Sequence, residues 1–406
     1  MSNDVKFLFL GGLFPKETEK EIADNSIHAV QNAANVLQWN IVTGLDENLE
    51  EPVKILNSLY IGSWPKRYKK LFVPSYSFKH SENADDLNVG FCNLCGYKIV
   101  SRQHTLNREL KKWIKSTPQK KVILAYAMTD VMVNALYKAK KLDKNVVTCL
   151  IVPDLPQFMN MSGKFSMLHK IFKGLDIKLQ KSRLPYIDNF VFLTEQMNAF
   201  FRAKNYTVVE GVAGDFYSEV KPAEKRGKTV LYTGGLNSKY GIVNLVDAFM
   251  QIEDPGYRLI LCGSGDAVPY IQEAQRKDTR IEYKGLLPHQ DILFLQASAT
   301  VLVNPRQNTE EFTKYSFPSK TMEYMLSGNP VVMYKLDGIP EEYHAYLNYV
   351  PDNSIEALRD KIVEICSLSN EEREKMGQTA REFLLKEKNK VKQAGKILQL
   401  CSQTRT

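Results

Sequence analysis

The sequence lacks long apolar runs and is poor in cysteine. No apolar run in its 406 residues approaches about 18 residues, the length that a bilayer-spanning helix needs, so no transmembrane helix is indicated. The start, MSNDVKFLFLGGLFP, has an acidic residue before a short apolar stretch, which is more typical of a first strand than of a leader. Six cysteines, most of them inside apolar segments, indicate reduced thiols in a cytoplasmic protein.

Clusters of metal ligands are also missing from the sequence. Cys92 and Cys95, in GFCNLCGYK, have the spacing of half a zinc knuckle, but the chain contains no second pair of this kind. The nearest histidines, His80 and His104, do not have the spacing of ligands on one helix. We therefore expect no bound metal and no other cofactor.

Length, composition and charge are those of a globular protein with two domains. Hydrophobic residues make up 44% and charged residues 25%, both ordinary values, and 406 residues are too many for one usual core. The net charge of +8 fits an anionic ligand or an anionic membrane surface, but does not distinguish these from plain solubility. We expect no nucleic-acid partner.

Strand-like and helical patterns alternate along the chain, which predicts α/β domains with parallel sheets. The strands predicted in the first half are Val5–Leu10, Trp39–Val42, Lys54–Ile61, Lys121–Ala125, Val146–Val152 and Phe190–Leu193. Those predicted in the second half are Thr229–Tyr232, Arg258–Cys262, Ile281–Tyr283, Ala299–Val303, Val331–Tyr334 and Leu347–Val350. Helices are predicted between the early strands at Glu19–Leu37, Leu106–Ser116 and Asp130–Lys140.

A polar segment divides the two halves. Asp215–Lys228 (DFYSEVKPAEKRGK) is charged and contains proline, so we interpret it as a linker between a domain Met1–Gly214 and a domain Thr229–Lys388. The chain ends in a strongly helical region. We expect its last part, Asn389–Thr406, to form a helix that crosses back onto the first domain.

A pair of glycines follows the first predicted strand of each half, namely Gly11-Gly12 after FLFL and Gly234-Gly235 after VLYT. Such glycines let the backbone approach a ligand and leave amides free for an anion, although tight turns also use glycine for steric reasons alone. Gly263 lies in a third loop, CGSGDAV. Val268 stands there in place of the third glycine of a dinucleotide fingerprint, which counts against an NAD-dependent oxidoreductase.

The stretch YSFPSKTMEYMLSGNPVV, from Tyr315 to Val332, predicts a short helix followed by a buried strand. Pro318 fits the first helical turn, and apolar residues then recur at three- and four-residue spacing. Gly328 suits a left-handed cap after the helix. The helix start is a favourable place for an anion. Glu323 is the charged residue among the apolar ones and is a candidate for binding a ligand.

The second half resembles the donor-binding domain of family-4 glycosyltransferases, which are two-domain GT-B-fold enzymes that use nucleotide sugars. The resemblance spans Thr229 to Tyr334 and is carried by VLYTGGLNSKYGIVNLVDAF, LILCGSGD, RIEYKGLLPHQDIL and VLVNPRQNTEEFTKYSFPSKTMEYMLSGNPVV. The first half agrees in layout through GGLFP, TCLIVPDLPQF, VFLTEQM and VVEGVAG. The resemblance implies two Rossmann-like domains that face a central cleft.

The resemblance assigns the donor site to the stretch around Glu323. Glu323 matches the second glutamate of the family's signature, which accepts hydrogen bonds from the ribose hydroxyls of the nucleotide. Tyr315 stands at the first glutamate, which touches the donor sugar in relatives; Glu310 or Glu311 could fold back into that role. The backbone from there to the helix start would line the sugar and the diphosphate, and it comprises Ser316, Phe317, Pro318 (a glycine in the family), Ser319 and Lys320.

The family also places an arginine and a lysine after the first strand of the donor domain, where they offset the charge of the leaving diphosphate. In this chain Gly235 occupies the arginine position, and Lys239 lies beside the lysine position. Lys239, Arg306 and Lys320 are the cations that could substitute.

One further candidate lies in the first half. Asp154, in VPDLPQF, stands where relatives face the cleft, and Pro153 replaces the histidine that often precedes it. We expect Asp154 to bind or orient the acceptor, or else to cap the following turn. Retaining enzymes of the family are thought to let the departing phosphate take the acceptor's proton. The predicted catalytic set is Asp154, Lys239, Arg306 and Glu323.

The segment Lys164–Arg183 combines six basic residues with many apolar ones. Such a pattern fits either a helix docked on an anionic bilayer or a helix that covers its own domain. The basic stretch KRYKK, Lys66–Lys70, adds to the same surface.

The resemblance predicts a metal-independent, retaining hexosyltransferase, and together with this basic segment it predicts the acceptor. The expected donor is a nucleotide sugar, with a UDP-hexose the first choice. The expected acceptor is a growing capsular, exopolysaccharide or O-antigen glycan on a polyprenyl diphosphate, so the enzyme would act in the cytoplasm at the inner face of the membrane. Two alternatives stay open, namely a GT-B-fold nucleotide-sugar 2-epimerase and a catalytically impaired glycosyltransferase-like subunit.

Overall fold

The computed structural model of the protein describes residues 4–27, 32–155, 178–214, 217, 220, 227–309 and 311–404. The chain divides into two compact units. The first consists of Met1–Val212 together with Lys390–Thr406, and the second is Ala213–Asn389. The described residues of the predicted linker Asp215–Lys228 therefore belong to the second unit.

The first unit is built on an eight-stranded sheet with the order β10-β9-β8-β7-β1-β2-β5-β4. All neighbours are parallel except β4 and β5, which are antiparallel, and a separate antiparallel pair is formed by β3 and β6. The strands are β1 (Val5–Gly11), β2 (Lys54–Asn57), β3 (Phe72–Val73), β4 (Tyr76–Phe78), β5 (Asp86–Asn88), β6 (Phe91–Cys92), β7 (Lys120–Tyr126), β8 (Val147–Val152), β9 (Asn189–Phe192) and β10 (Tyr206–Val208).

The helices of this unit before residue 212 that are described from end to end are α1 (Glu19–Asn25), α2 (Asn32–Asn48), α3 (Lys98–Ser116), α4 (Asp130–Leu142) and the short α5 (Asn198–Phe201). The predicted strand Trp39–Val42 is wrong, because these residues lie inside α2. The buried positions of α2, among them Gln38, Ile41 and Leu45, follow the helical spacing of three and four residues. The predicted helix Glu19–Leu37 is divided between α1 and α2.

The second unit contains a six-stranded parallel sheet with the order β13-β12-β11-β14-β15-β16. The order reverses between β11 and β14, and in such a sheet ligands bind outside the carboxyl ends of the strands at this switch point. The strands are β11 (Lys228–Gly235), β12 (Tyr257–Ser264), β13 (Ile281–Gly285), β14 (Val301–Asn304), β15 (Val331–Tyr334) and β16 (Asn348–Val350).

Helices alternate with these strands, as parallel connections require. They are α6 (Ile242–Met250), α7 (Val268–Lys277), α8 (His289–Ser298), α9 (Ser319–Leu326), α10 (Ile355–Ser367) and α11 (Asn370–Glu387). The helix predicted before Gly328 is α9, and Gly328 follows it with a φ of 76°, as expected for a left-handed cap. The prediction of two α/β units, each built on a mainly parallel sheet, is confirmed.

The last helix of the chain, α12 (Lys390–Gln403), belongs to the first unit and packs on α2. Ile397 and Leu398 are buried in the same core as Ile41 and Leu45 of α2. The two helices come close at Gly44, where an added Cβ atom would lie 2.2 Å from the backbone oxygen of Lys390. The C-terminal helix therefore crosses back to the first unit.

The close contact at Gly44 gives a test of this helix pair. Alanine normally stabilises the interior of a helix relative to glycine by up to about 1 kcal/mol, but at Gly44 it collides with backbone. We expect Gly44→Ala to destabilise the protein by about 1–3 kcal/mol. Gly395→Ala is the matched control, because its Cβ atom would meet nothing nearer than 3.8 Å, and it should be neutral or stabilising. Thermal unfolding of both variants measures the difference, and equal stabilities would contradict the packing.

Candidate functional site

The carboxyl ends of β11 and β14 form the switch point of the second sheet. Gly234 and Gly235 end β11, and Arg306 lies two residues beyond the end of β14. The two strands are direct neighbours, so these residues come to one edge of the sheet although 70 residues separate them. Helix α9 begins near this edge, since an added Cβ atom on Gly234 would lie 3.5 Å from Cε of Lys320.

The carboxylate of Glu323 is held through one of its two oxygens. Its Oε1 atom accepts hydrogen bonds from Nε2 of Gln296 at 2.6 Å and from Nζ of Lys320 at 2.9 Å. No described residue donates to Oε2, and the side chain keeps 19% of its surface exposed. The group is thus oriented by the protein and retains an oxygen that can accept hydrogen bonds from a ligand.

Gln296, in α8, connects Glu323 to the end of β11. Its side chain is fully buried and donates to Oγ1 of Thr233 at 2.8 Å as well as to Glu323. Its own oxygen accepts a hydrogen bond from the hydroxyl of Tyr217, which is also 3.2 Å from the backbone oxygen of Glu323. Burial, followed by the nearby Glu323 carboxylate, holds the pKa of Tyr217 well above its ordinary value, so its hydroxyl stays a donor.

Tyr324 fixes the register between α9 and β11. Its hydroxyl accepts from the backbone N–H of Thr233 at 2.8 Å and donates to the backbone oxygen of the same residue at 3.0 Å. The ring is completely buried, and burial raises the pKa of the phenol, so it remains protonated. This side chain therefore links Glu323's helix directly to the strand that ends at Gly235.

The start of α9 offers backbone amides to an anion. The amides of Ser319 and Lys320 have no acceptor within the helix, and no described side chain caps it. Both amides lie at the positive end of the helix dipole. Pro318 directly precedes the helix rather than occupying its first turn, which corrects the predicted position.

The residues before α9 differ in which of their groups a ligand can reach. The Phe317 ring is buried against Tyr343 at 5.2 Å between centroids, so only the Phe317 backbone is available to a ligand. The Ser316 hydroxyl is buried without a hydrogen-bond partner among the described residues. Tyr315 is half-buried at the end of a 3₁₀ helix, Glu311–Tyr315, and Glu311 is exposed at its start. Glu310 lies outside the described residues.

The glycines of the second unit differ in their roles. Gly263 has a φ of 137°, and an added Cβ atom would lie 1.8 Å from the backbone oxygen of Gly234, so its glycine is required by packing between β11 and β12. Gly234 also has a positive φ, 141°. Gly235 is exposed, and an added Cβ atom would meet only side chains, with Nδ2 of Asn237 at 3.1 Å. A larger residue could therefore be accommodated at Gly235.

Arg306 and Gly235 both lie close to the ring of Tyr240. The Arg306 guanidinium is 4.5 Å from the ring centre of Tyr240 and 5.3 Å from that of Phe312. The Tyr240 ring in turn lies within 3.4 Å of the Cβ position on Gly235. Burial lowers the pKa of Arg306, and no described carboxylate forms an ion pair with it. The exposed Lys239 also contacts Tyr240, with Nζ 5.2 Å from the ring centre.

In the first unit, the edge that ends β1, β7 and β8 carries the other predicted residues. The Gly12 amide donates to Oε1 of Gln38 at 2.9 Å, so this N–H is occupied and does not remain free for an anion as the sequence suggested. An added Cβ atom on Gly12 would lie 2.2 Å from the Tyr60 ring, which gives this glycine a steric role. The amide of Gly11 and its binding of a donor stay a prediction.

Asp154 follows β8 by two residues, at the same edge of the first sheet as Gly11. It is an exposed residue, and the protein atoms around its carboxylate desolvate that group and raise its pKa to about 6. Burial, followed by the nearby Asp154 carboxylate, raises the pKa of Tyr126, the last residue of β7. The binding or orientation of an acceptor by Asp154 stays a prediction.

Two further properties concern the whole described part of the chain. Among the described residues, no group of three or more His, Cys, Asp or Glu side chains is placed to hold a metal ion. No described helix has the length and apolar character needed to span a bilayer. Most of the predicted membrane-docking segment Lys164–Arg183, residues 164–177, lies outside the described residues.

The second unit resembles a known protein family. Residues 215–383 match the family described as "Glycosyl transferases group 1", so this unit carries a group 1 glycosyltransferase domain. No curated protein sequence matches the chain.

Solved structures resemble the protein over both units. A sucrose-phosphate synthase from Thermosynechococcus elongatus is 17% identical with a TM-score of 0.66, and the match covers 98% of each chain. An E. coli protein described as trehalose-6-phosphate, bound with UDP-2-fluoro glucose, is 9% identical with a TM-score of 0.63, covering 98% of this chain and 99% of that one. Anabaena HepE in complex with UDP is 14% identical with a TM-score of 0.62, covering 98% and 100%. At these identities the likeness establishes the GT-B fold.

The hydrogen bonds of Gln296 can be tested by removing them. Gln296→Leu keeps the volume of the side chain but leaves Thr233, Tyr217 and Glu323 without this partner, so we expect a loss of about 1–3 kcal/mol of stability. Gln272→Leu changes an exposed glutamine of α7 and should stay within about 0.5 kcal/mol of the wild type. Urea unfolding measures both values. A Gln296→Leu protein as stable as the wild type would show that this network contributes nothing.

Proposed function

We propose that the protein is a family-4 glycosyltransferase that binds a nucleotide sugar in its second unit and transfers the sugar with retention of configuration. The observation that carries this proposal is the state of Glu323: one carboxylate oxygen is fixed by Gln296 and Lys320, while Oε2 has no described donor. The group 1 glycosyltransferase domain supports the same function.

In this proposal Glu323 binds the ribose of the nucleotide. A carboxylate accepts hydrogen bonds from two neighbouring hydroxyls, and charge-assisted hydrogen bonds are stronger than neutral ones. The fixed orientation matters, because a group that is already ordered loses little freedom when the ligand binds. The side chain is oriented from two sides before any ligand arrives, through α8 and through its own helix.

The diphosphate would lie against the start of α9. The amides of Ser319 and Lys320 and the dipole of the helix favour an anion at this point. When the bond to the sugar breaks, negative charge grows on the departing diphosphate and must be stabilised. We assign this task to Arg306, Lys239 and Lys320, and we infer that the enzyme needs no metal ion for it.

The donor sugar and the acceptor are inferred from similar structures and from the residues around the site. UDP-hexoses are our first choice of donor, in line with the UDP compounds bound to the E. coli and Anabaena structures. Tyr315 and Pro318 alter the sugar pocket relative to the family, so the preferred sugar is expected to differ. Asp154 would orient the acceptor. The departing phosphate would take the proton of the acceptor's hydroxyl, as proposed for retaining enzymes of the family.

We further propose that the acceptor is a lipid-linked surface glycan of the capsular, exopolysaccharide or O-antigen type. The support is the basic and apolar pattern of Lys164–Arg183, which suits an anionic membrane surface. The enzyme would then work in the cytoplasm, at the inner face of the membrane. A catalytically impaired subunit is the second candidate, since Gly235 and Tyr315 replace two functional residues of the family.

The ribose assignment predicts a selective loss of affinity. Glu323→Gln keeps the shape of the side chain but removes its charge, so we expect the Kd for UDP to rise about 10- to 100-fold. The Kd for 2′,3′-dideoxy-UDP should change less than about twofold, because that nucleotide lacks the hydroxyls. Glu273→Gln, at an exposed site on α7, is the control. Calorimetric titration of the wild type and both variants measures the Kd for each nucleotide. Equal losses of affinity for the two nucleotides in Glu323→Gln would refute the assignment.

The role of Arg306 is tested through turnover. We expect Arg306→Ala to lower the rate of UDP release from the preferred UDP-sugar by about 100-fold or more, with a smaller effect on donor affinity. Adding Gly235→Arg should restore part of this rate, since Gly235 has an ordinary φ and space for a side chain. Arg258→Ala, at an exposed arginine, is the control for a lost positive charge. Full activity of Arg306→Ala would exclude Arg306 from catalysis, and a wild type that binds donor without turnover would favour the impaired subunit.

A further inference from the structure

A groove on the first unit is lined by none of the candidate site residues. It runs between α3 and α4 and has a volume of about 570 Å³. Its floor is apolar and consists of the buried side chains Leu110, Ile114 and Ala139. No carboxylate of a described residue lines it. The groove is large enough for part of a small amphiphile but does not lie at the ligand-binding edge of the sheet.

The walls of the groove are basic. They are formed by His104, Arg108 and Lys111 of α3 and by Lys138 and Lys141 of α4. Among the described residues, none of the three lysines forms an ion pair, so their charges are not neutralised within the unit. The nearest acid on α3, Glu109, is engaged by Arg108 at 2.8 Å and by Lys112 at 3.0 Å and is not part of the lining.

Exposed apolar side chains flank this basic surface. Leu142, at the end of α4, lines the groove and is 42% exposed. Val100, at the start of α3, is 58% exposed and lies on the same helix face as His104, Arg108 and Lys111, because the spacing is four, four and three residues. A face of about 17 Å along α3 therefore changes from apolar to basic.

We propose that the α3–α4 groove docks the first unit on an anionic lipid bilayer. The lysines would contact lipid phosphates, while Leu142 and Val100 enter the boundary between headgroups and acyl chains and the apolar floor accommodates part of a lipid. Apolar and basic side chains side by side match such an interface. A nucleic acid would use the charges but not the apolar floor or the exposed aliphatic side chains. The biological role of this surface rests on the proposed lipid-linked acceptor. Its binding to a bilayer does not depend on that proposal.

Vesicle sedimentation with the full chain tests this surface. Vesicles of phosphatidylcholine with 30% phosphatidylglycerol should bind the protein, and pure phosphatidylcholine should bind it weakly. Replacing Lys111, Lys138 and Lys141 together by Glu should reduce the partition coefficient by at least about 100-fold, since each lysine near such a surface contributes roughly a factor of five and each glutamate adds repulsion. The same change at three exposed lysines elsewhere, Lys204, Lys375 and Lys386, is the matched control and should have little effect.

Further arms separate the possible outcomes. Leu142→Ser should reduce the binding that remains at 0.5 M salt, where exposed charges are screened. Millimolar inorganic phosphate should not displace the protein from vesicles. The proposal is overturned if the groove variant binds vesicles like the wild type, if neither protein binds them, or if RNA binds the groove better than vesicles do. UDP affinity measured without vesicles should be unchanged in the groove variant, so failure here is distinct from failure of the donor site.

Discussion

The hydrogen bond from Gln296 to Glu323 is the interaction on which the candidate site depends. Glu323 lies on a short helix, α9, whose position must be fixed before its carboxylate can select a ligand. Gln296 fixes the carboxylate from α8, while the hydroxyl of Tyr324 fixes the helix itself against the end of β11. Both anchors are buried, where hydrogen bonds are costly to break because water cannot replace them. The site is therefore organised by the core of the second unit rather than by its surface loops.

The order of strands places the charged groups around this carboxylate. Because β11 and β14 are neighbours at the point where the order reverses, the loop after β11 and the residue Arg306 after β14 meet at one edge of the sheet. Arg306 packs against Tyr240, whose ring covers the side of Gly235. The chain thus has a glycine at the end of β11 and a half-buried arginine, without a described acidic partner, beside the same place. Stacking on Tyr240 and Phe312 keeps that guanidinium fixed although it lacks a carboxylate.

Much of this arrangement could be predicted from local sequence. Hydrophobic spacing, a proline before the helix and Gly328 after it were sufficient to predict α9, and the motif around Glu323 identified the residue to examine. Gln296 and Tyr217 could not be found in this way, since their partners are 27 and 79 residues distant and only the folded sheet brings them together. The strand predicted at Trp39–Val42 failed because so short a segment, with three apolar residues out of four, fits a strand as well as a helix, and the longer pattern of α2 decided the outcome. The glycine at 12 was correctly noticed, but its amide is occupied by Gln38, a residue of another element.

The central claim is that the second unit binds a nucleoside diphosphate through Glu323 and the start of α9. The most direct measurement is thermal unfolding of the wild-type protein with a panel of nucleoside diphosphates and their sugars. A ligand at 100 times its Kd stabilises the folded protein by about 2.7 kcal/mol, so at least one of them should raise the unfolding temperature by several degrees, with one base clearly preferred. If no member of the panel shifts the transition, the protein has no such site and the account is contradicted.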